Sequence, residues 1–204
     1  MNNKATILFL VSILHMMVLN SCFQIQYYGA NHSRESDQYE ETKSTMYVSN
    51  PDTSTFKMLE DSIVFVEIDS NYLNNQLLKE SQNGWVYYMS YWCANCIQHI
   101  DQFSKMSEEH DVKFIPISTS YDVKRLRKNL GYSNYKGIIY ILNHSYGETE
   151  TEKYFKFRKM YIGEGINEQF SVPTSDFFIA GKYAKTIIGA GKINDELLES
   201  LKTH

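Results

Sequence analysis

Apolar and polar positions along the chain fall into blocks that switch between two periods. Ser62 to Ile68 is a β-favouring apolar run, and Leu73, Leu77 and Leu78 mark a short helix capped by Asp69 or Ser70. Gly84 opens an aromatic, β-favouring stretch from Trp85 to Met89, and Ile97, Ile100, Phe103 and Met106 then fall at helical spacing. Val112 to Ile117 predicts another buried strand. Val123, Leu126 and Leu130 predict a helix with Gly131 placed as its C-terminal stop. Gly137 to Leu142 predicts a further strand. From Glu148 to Met160 acidic residues come early and basic ones late, the order the helix dipole favours, which predicts a helix whose charges are solvated. Asp176 to Ala180 and Tyr183 to Ile188 predict a hairpin turning at Gly181-Lys182, and a last helix starts at Asn194 with Leu197, Leu198 and Leu201 on one face. The order is β-α-β-α-β-α-β-α-β-β-α, an α/β domain over residues 61–204.

The first 60 residues follow neither period. Lys4 precedes an apolar stretch from Ala5 to Leu19, too short for a comfortable membrane span and suited to the h-region of a signal peptide over residues 1–21. Residues 22–60 are polar and aperiodic, as expected of a flexible tether.

Composition narrows the function classes. The 204 residues carry 20 Lys and Arg against 24 Asp and Glu, a net charge of −4, without a basic cluster, so no nucleic-acid partner is expected. The chain has three cysteines, and their placement gives each its own task.

Two of them, Cys93 and Cys96, stand where a buried strand hands over to a helix. Amide N–H groups at a helix N-terminus carry partial positive charge and stabilise a thiolate. Cys93 is thereby the attacking thiol near neutral pH, and Cys96, one turn on, is placed to resolve the mixed disulfide that results. The pair is a redox dithiol. Half of a structural zinc site is the competing explanation, but it needs about four ligands, and neither distant Cys22 nor nearby His99 completes such a set. No metal site and no cofactor is expected.

Trp92-Cys93-Ala94-Asn95-Cys96 after a hydrophobic strand resembles the W-C-x-x-C motif of the thioredoxin superfamily, over about Asp61 to Leu201. The resemblance implies a thioredoxin-like fold, a central mixed sheet flanked by helices. It also implies that Val172-Pro173 is a cis peptide before the last hairpin, packed against the dithiol, so that Trp92, Val172 and Pro173 contact substrate. The extra strand–helix unit from Gly137 to about Met160 is similar to the insert of TlpA-like periplasmic reductases, several of which serve cytochrome c maturation. Thioredoxin proper carries a buried Asp in the strand before the cysteines, as proton acceptor for the second Cys. Tyr87 occupies that place here, and Glu67 on the first strand either substitutes for that Asp or faces solvent.

Leu19-Asn20-Ser21-Cys22 resembles the bacterial lipoprotein signal, which implies cleavage before Cys22 and acylation of its thiol. Several lipid chains are what stable anchoring requires. Together these imply a lipid-anchored thiol–disulfide oxidoreductase of the cell envelope, its domain facing the periplasm. Its partners would be cysteine-containing client proteins and a membrane-embedded electron donor. A module of the same fold carrying copper(I) on the dithiol is the alternative, since soft thiolates suit that ion.

Overall fold

The computed structural model describes residues 63–78, 83–164, 166 and 169–201. The expected signal peptide, tether and Cys22 lie outside them. Six strands, β1 (Ile63–Ile68), β2 (Gly84–Met89), β3 (Lys113–Ser118), β4 (Gly137–Leu142), β5 (Thr174–Ile179) and β6 (Lys182–Ile188), form one sheet in the order β1-β4-β3-β2-β5-β6. The first four are mutually parallel, whereas β5 runs antiparallel to β2 and to β6. The additional strand β4 is inserted between β1 and β3. Pro116 sits inside a central strand, which its missing N–H ordinarily forbids. Here β3 pairs with β4 only at Ile117 and Ser118, so the ladder begins just past the proline.

Side-chain alternation sorts the helices onto two faces. Trp85, Tyr87 and Met89 of β2 point into one apolar cluster with α2 (Ala94–Glu109), α3 (Val123–Leu130) and α5 (Asp195–Ser200). Val86 and Tyr88 point the other way, toward α4 (Glu150–Ile162) and the short α1 (Ser70–Tyr72), which continues as a π-helical turn over Leu73–Leu77. Helix starts follow the capping rule: Asp69, Asp122, Thr149 and Asn194 each accept an amide N–H of the first turn. Trp85 centres the first cluster, with ring centroids 4.9 Å from Phe103, 5.0 Å from Phe114 and 5.4 Å from Phe177, and its indole donates to Ser175 Oγ at 2.8 Å.

Gly131 caps the end of α3 as expected, in right-handed backbone with φ of −61°. Two expectations change. The hairpin turns one residue earlier than expected, at Ala180-Gly181 with φ of 49° and 75°, so that Lys182 already belongs to β6. Positive φ at both central residues is what a two-residue hairpin turn needs to match strand twist. The charges of α4 are not all solvated. Glu150, Lys153 and Arg158 are buried beside Tyr154 and Phe157, because this helix covers the second face of the sheet and has no apolar residue to spare at those positions.

Arg158 makes a two-pronged ion pair with Asp176 of β5, Nε to Oδ2 and Nη2 to Oδ1, both at 2.7 Å. It also donates to Tyr154 Oη at 2.9 Å and Thr186 Oγ1 at 2.8 Å. Tyr161 donates to Asp176 Oδ2 at 2.6 Å and is itself hydrogen-bonded to Tyr88. Burial works against the Arg158 charge, but the hydrogen bonds and charge of Asp176 outweigh it and hold the guanidinium protonated. Burial raises Tyr87, Tyr88, Tyr135, Tyr140 and Tyr161 above the ordinary phenol value of 10.0, and the Asp176 carboxylate adds to the effect at Tyr88 and Tyr161. A raised folded-state value stabilises the fold fully below the unfolded one, and that contribution is lost as pH rises beyond it. Alkaline titration followed at 295 nm should therefore show these phenols silent until the domain unfolds, with stability falling above about pH 10. Reversible ionisation of all tyrosines near pH 10 without loss of tertiary structure would refute this.

Candidate active site

The cysteines lie where β2 ends. Ser90 bends the chain, its carbonyl accepting the Cys93 N–H at 3.1 Å, and its own hydroxyl is fully buried with no hydrogen-bond partner among the described residues. Cys93 is the N-cap of α2, in extended backbone, and its Sγ accepts the Cys96 N–H at 3.2 Å. A sulfur in the N-cap place takes up a free amide of the helix terminus, the contact that stabilises a thiolate in the reduced form. Here the two sulfurs are joined as a disulfide, with Cα atoms 5.2 Å apart. Cys93 keeps 6% of its surface open and Cys96 none, so whatever access exists is to Cys93. Neighbouring Ala94 and Asn95 are exposed and uncharged.

The Val172-Pro173 peptide is cis. Thr174, next in the chain, pairs with Tyr88 of β2, which brings the proline loop and the cysteine loop to the same end of adjacent strands. Pro173 itself is buried, its carbonyl accepting the Gly189 N–H at 2.9 Å, while half-buried Val172 packs against the cluster that contains both cysteines. Trp92 is 38% exposed beside Cys93.

The fold is thioredoxin-like. Four parallel strands with an antiparallel hairpin at one edge, a Cys-x-x-Cys pair capping the helix after β2, and a cis-proline opening β5 together define it. No family model matches the sequence, and no curated protein matches it. Solved structures similar to the chain include StoA from Bacillus subtilis, at 19% identity over 61% of this chain and 84% of that one, with a TM-score of 0.41. The pneumococcal exposed lipoprotein thioredoxin Etrx1 from Streptococcus pneumoniae is similar at 18% identity, over 61% and 87%, with a TM-score of 0.44. A secreted Mycobacterium tuberculosis disulfide oxidoreductase, homologous to E. coli DsbE, is similar at 14% identity, over 61% and 84%, with a TM-score of 0.41. The fold assignment stands on topology and not on these similarities.

Tyr87 is fully buried under α2 and donates to the Cys96 carbonyl at 3.2 Å, and burial keeps its phenol neutral. Glu67 is three strands from β2, about 14 Å at the usual strand spacing, with its carboxylate 3.8 Å from His144 Nδ1. It is out of reach of Cys96, so of the two readings left open for Glu67, substitution for a buried Asp is excluded. His99 stacks on Phe103 and bonds the Asn95 carbonyl at 2.8 Å on the helix surface.

Sequence reasoning missed Glu150. From the first turn of α4 its carboxylate reaches the Trp92 indole, Nε1 lying 3.2 Å from Oε1 and 3.3 Å from Oε2, and Thr119 Oγ1 donates to Oε2 at 3.0 Å. These contacts span 58 and 31 residues of chain, and no local pattern announces them. Among the described residues no cluster of three or more His, Cys, Asp or Glu could hold a metal ion, and no helix is long and apolar enough to cross a membrane.

Proposed function

We propose that the chain is a thiol–disulfide oxidoreductase that reduces or isomerises disulfides of extracytoplasmic proteins while tethered to a bacterial membrane through Cys22. One observation carries the activity: the vicinal pair Cys93/Cys96 caps a helix beside a cis-proline, with its remaining opening at Cys93. In the reducing direction the Cys93 thiolate attacks one sulfur of a client disulfide and expels the other as a thiolate. Cys96, deprotonated, then attacks Cys93 Sγ and releases the second client sulfur. Two electrons and two protons pass to the client, and the Cys93–Cys96 disulfide remains until a donor dithiol reduces it. The Val172 backbone would pair with the client as an added strand.

Direction follows from charge. No Lys or Arg lies within two residues of either cysteine in the sequence, so the helix terminus is the charge that favours the Cys93 thiolate, and less strongly than in strong oxidants. Cytochrome c maturation is the narrower client set that the β4–α4 insert suggests, and a membrane-embedded donor would supply the electrons. The test is a redox titration of Cys93/Cys96 with a coupled assay on a disulfide-bonded protein. The expected result is catalysed reduction and a potential well below about −150 mV. A higher potential, with a Cys93 pKa below about 5, would make the protein an oxidant instead. For the tether, Cys22→Ala should leave uncleaved precursor, and an unmodified Cys22 by mass spectrometry excludes it.

A further inference from the structure

We propose that Glu150 is a positioning residue for the dithiol reaction. By accepting the Trp92 indole N–H, it holds that ring as the fixed wall against which the client's cysteine-bearing segment docks. The inference rests on the oxidoreductase reading above and names a specificity determinant within it.

Trp92 is the residue before the attacking cysteine and, among the described residues, is one of the few large apolar side chains left exposed, at 38%. A free indole at the surface samples several rotamers, and ordering it on binding weakens affinity. Here it is not free. Both Glu150 oxygens lie within hydrogen-bond range of Nε1, and Glu150 itself is only 8% exposed. A carboxylate buried that far is unfavourable unless its oxygens are satisfied. Thr119 supplies the second donor, and its backbone N–H is in turn bonded to the Met89 carbonyl at 2.9 Å. The carboxylate is thus held between the ends of β2 and β3 and the start of α4, whose N-terminal turn favours negative charge. Filling space alone would call for an apolar residue. A charged acceptor aimed at an exposed tryptophan beside the nucleophile serves orientation.

The experiment uses the full chain, reduced, with two oxidants: a short peptide disulfide and the small hydroxyethyl disulfide. Glu150→Ala should raise KM for the peptide about tenfold and leave kcat within about twofold. The hydroxyethyl disulfide rate should not change, because that molecule is too small to use the wall. Glu150→Gln keeps a carbonyl acceptor and should restore peptide KM to within about twofold of the parent. The chain has two tryptophans, and Trp85 is fully buried. Of the two indole N–H resonances, that of Trp92 should therefore shift and broaden in Glu150→Ala and stay sharp in Glu150→Gln.

An unchanged peptide KM in Glu150→Ala, or an equal loss on both disulfides, overturns the proposal. So does a Gln variant as defective as the Ala one, which would assign the effect to charge. If the parent reduces neither disulfide, the oxidoreductase reading fails, and that result is separate from the indole spectrum.

Discussion

Cys93→Ser is expected to reduce thiol–disulfide exchange to the uncatalysed rate, whereas Cys96→Ala should keep the first half-reaction and accumulate mixed disulfides with clients. The asymmetry follows from position. Cys93 caps α2, holds the open 6% of its surface, and accepts an amide N–H at its sulfur, while Cys96 is sealed beneath it. Only the thiolate attacks, so alkylation of the reduced protein at mildly acidic pH should modify Cys93 first. Non-reducing gels with Cys96→Ala should show client adducts that dithiothreitol dissolves. Faster labelling of Cys96, or adducts formed by Cys93→Ser instead, would reverse the roles.

The second large effect concerns stability. Asp176→Ala should destabilise the domain by about 3–5 kcal/mol, because it strands the Arg158 guanidinium in the interior and removes the acceptor of Tyr161. That is a large fraction of a typical domain's total of roughly 5–15 kcal/mol. Replacing both partners, Asp176→Leu with Arg158→Met, should recover most of the loss, since an apolar pair of similar volume needs no mutual charge. Urea unfolding of the single and double variants measures both. A cost below about 1 kcal/mol for Asp176→Ala would mean that water reaches the pair.

Fold and dithiol were legible in the sequence because their signals are local. The apolar run into Cys93, the 3.6-residue spacing after Cys96 and the Pro173 hairpin each lie within a dozen residues. Gly137 to Leu142 matches β4 residue for residue, since a continuous apolar run is what a strand buried on both faces requires. What escaped was pairing across the chain. The charges of α4 sort by sign as a solvated helix would, and periodicity cannot distinguish that from a helix whose charges face partners on the sheet. Asp176 before Phe177-Phe178 was the one available hint, a charge running straight into an apolar stretch, but nothing in the sequence named Arg158 as its partner. Glu150 had even less to mark it, for its partners Trp92 and Thr119 come from two other elements.

The place of β4 also governs how the sheet is completed during synthesis. Ile63 pairs with Gly137, 74 residues later, so β1 has no neighbour in the sheet until β4 has been made. At a translation rate of about 5–20 residues per second, an emerging chain keeps that strand unpaired for roughly 4–15 s. During this interval β2 and β3 join each other first, only 29 residues apart between Gly84 and Lys113. The N-terminal strand, the one a membrane tether would lead into, is therefore among the later ones to dock, and β4 is the wedge that admits it.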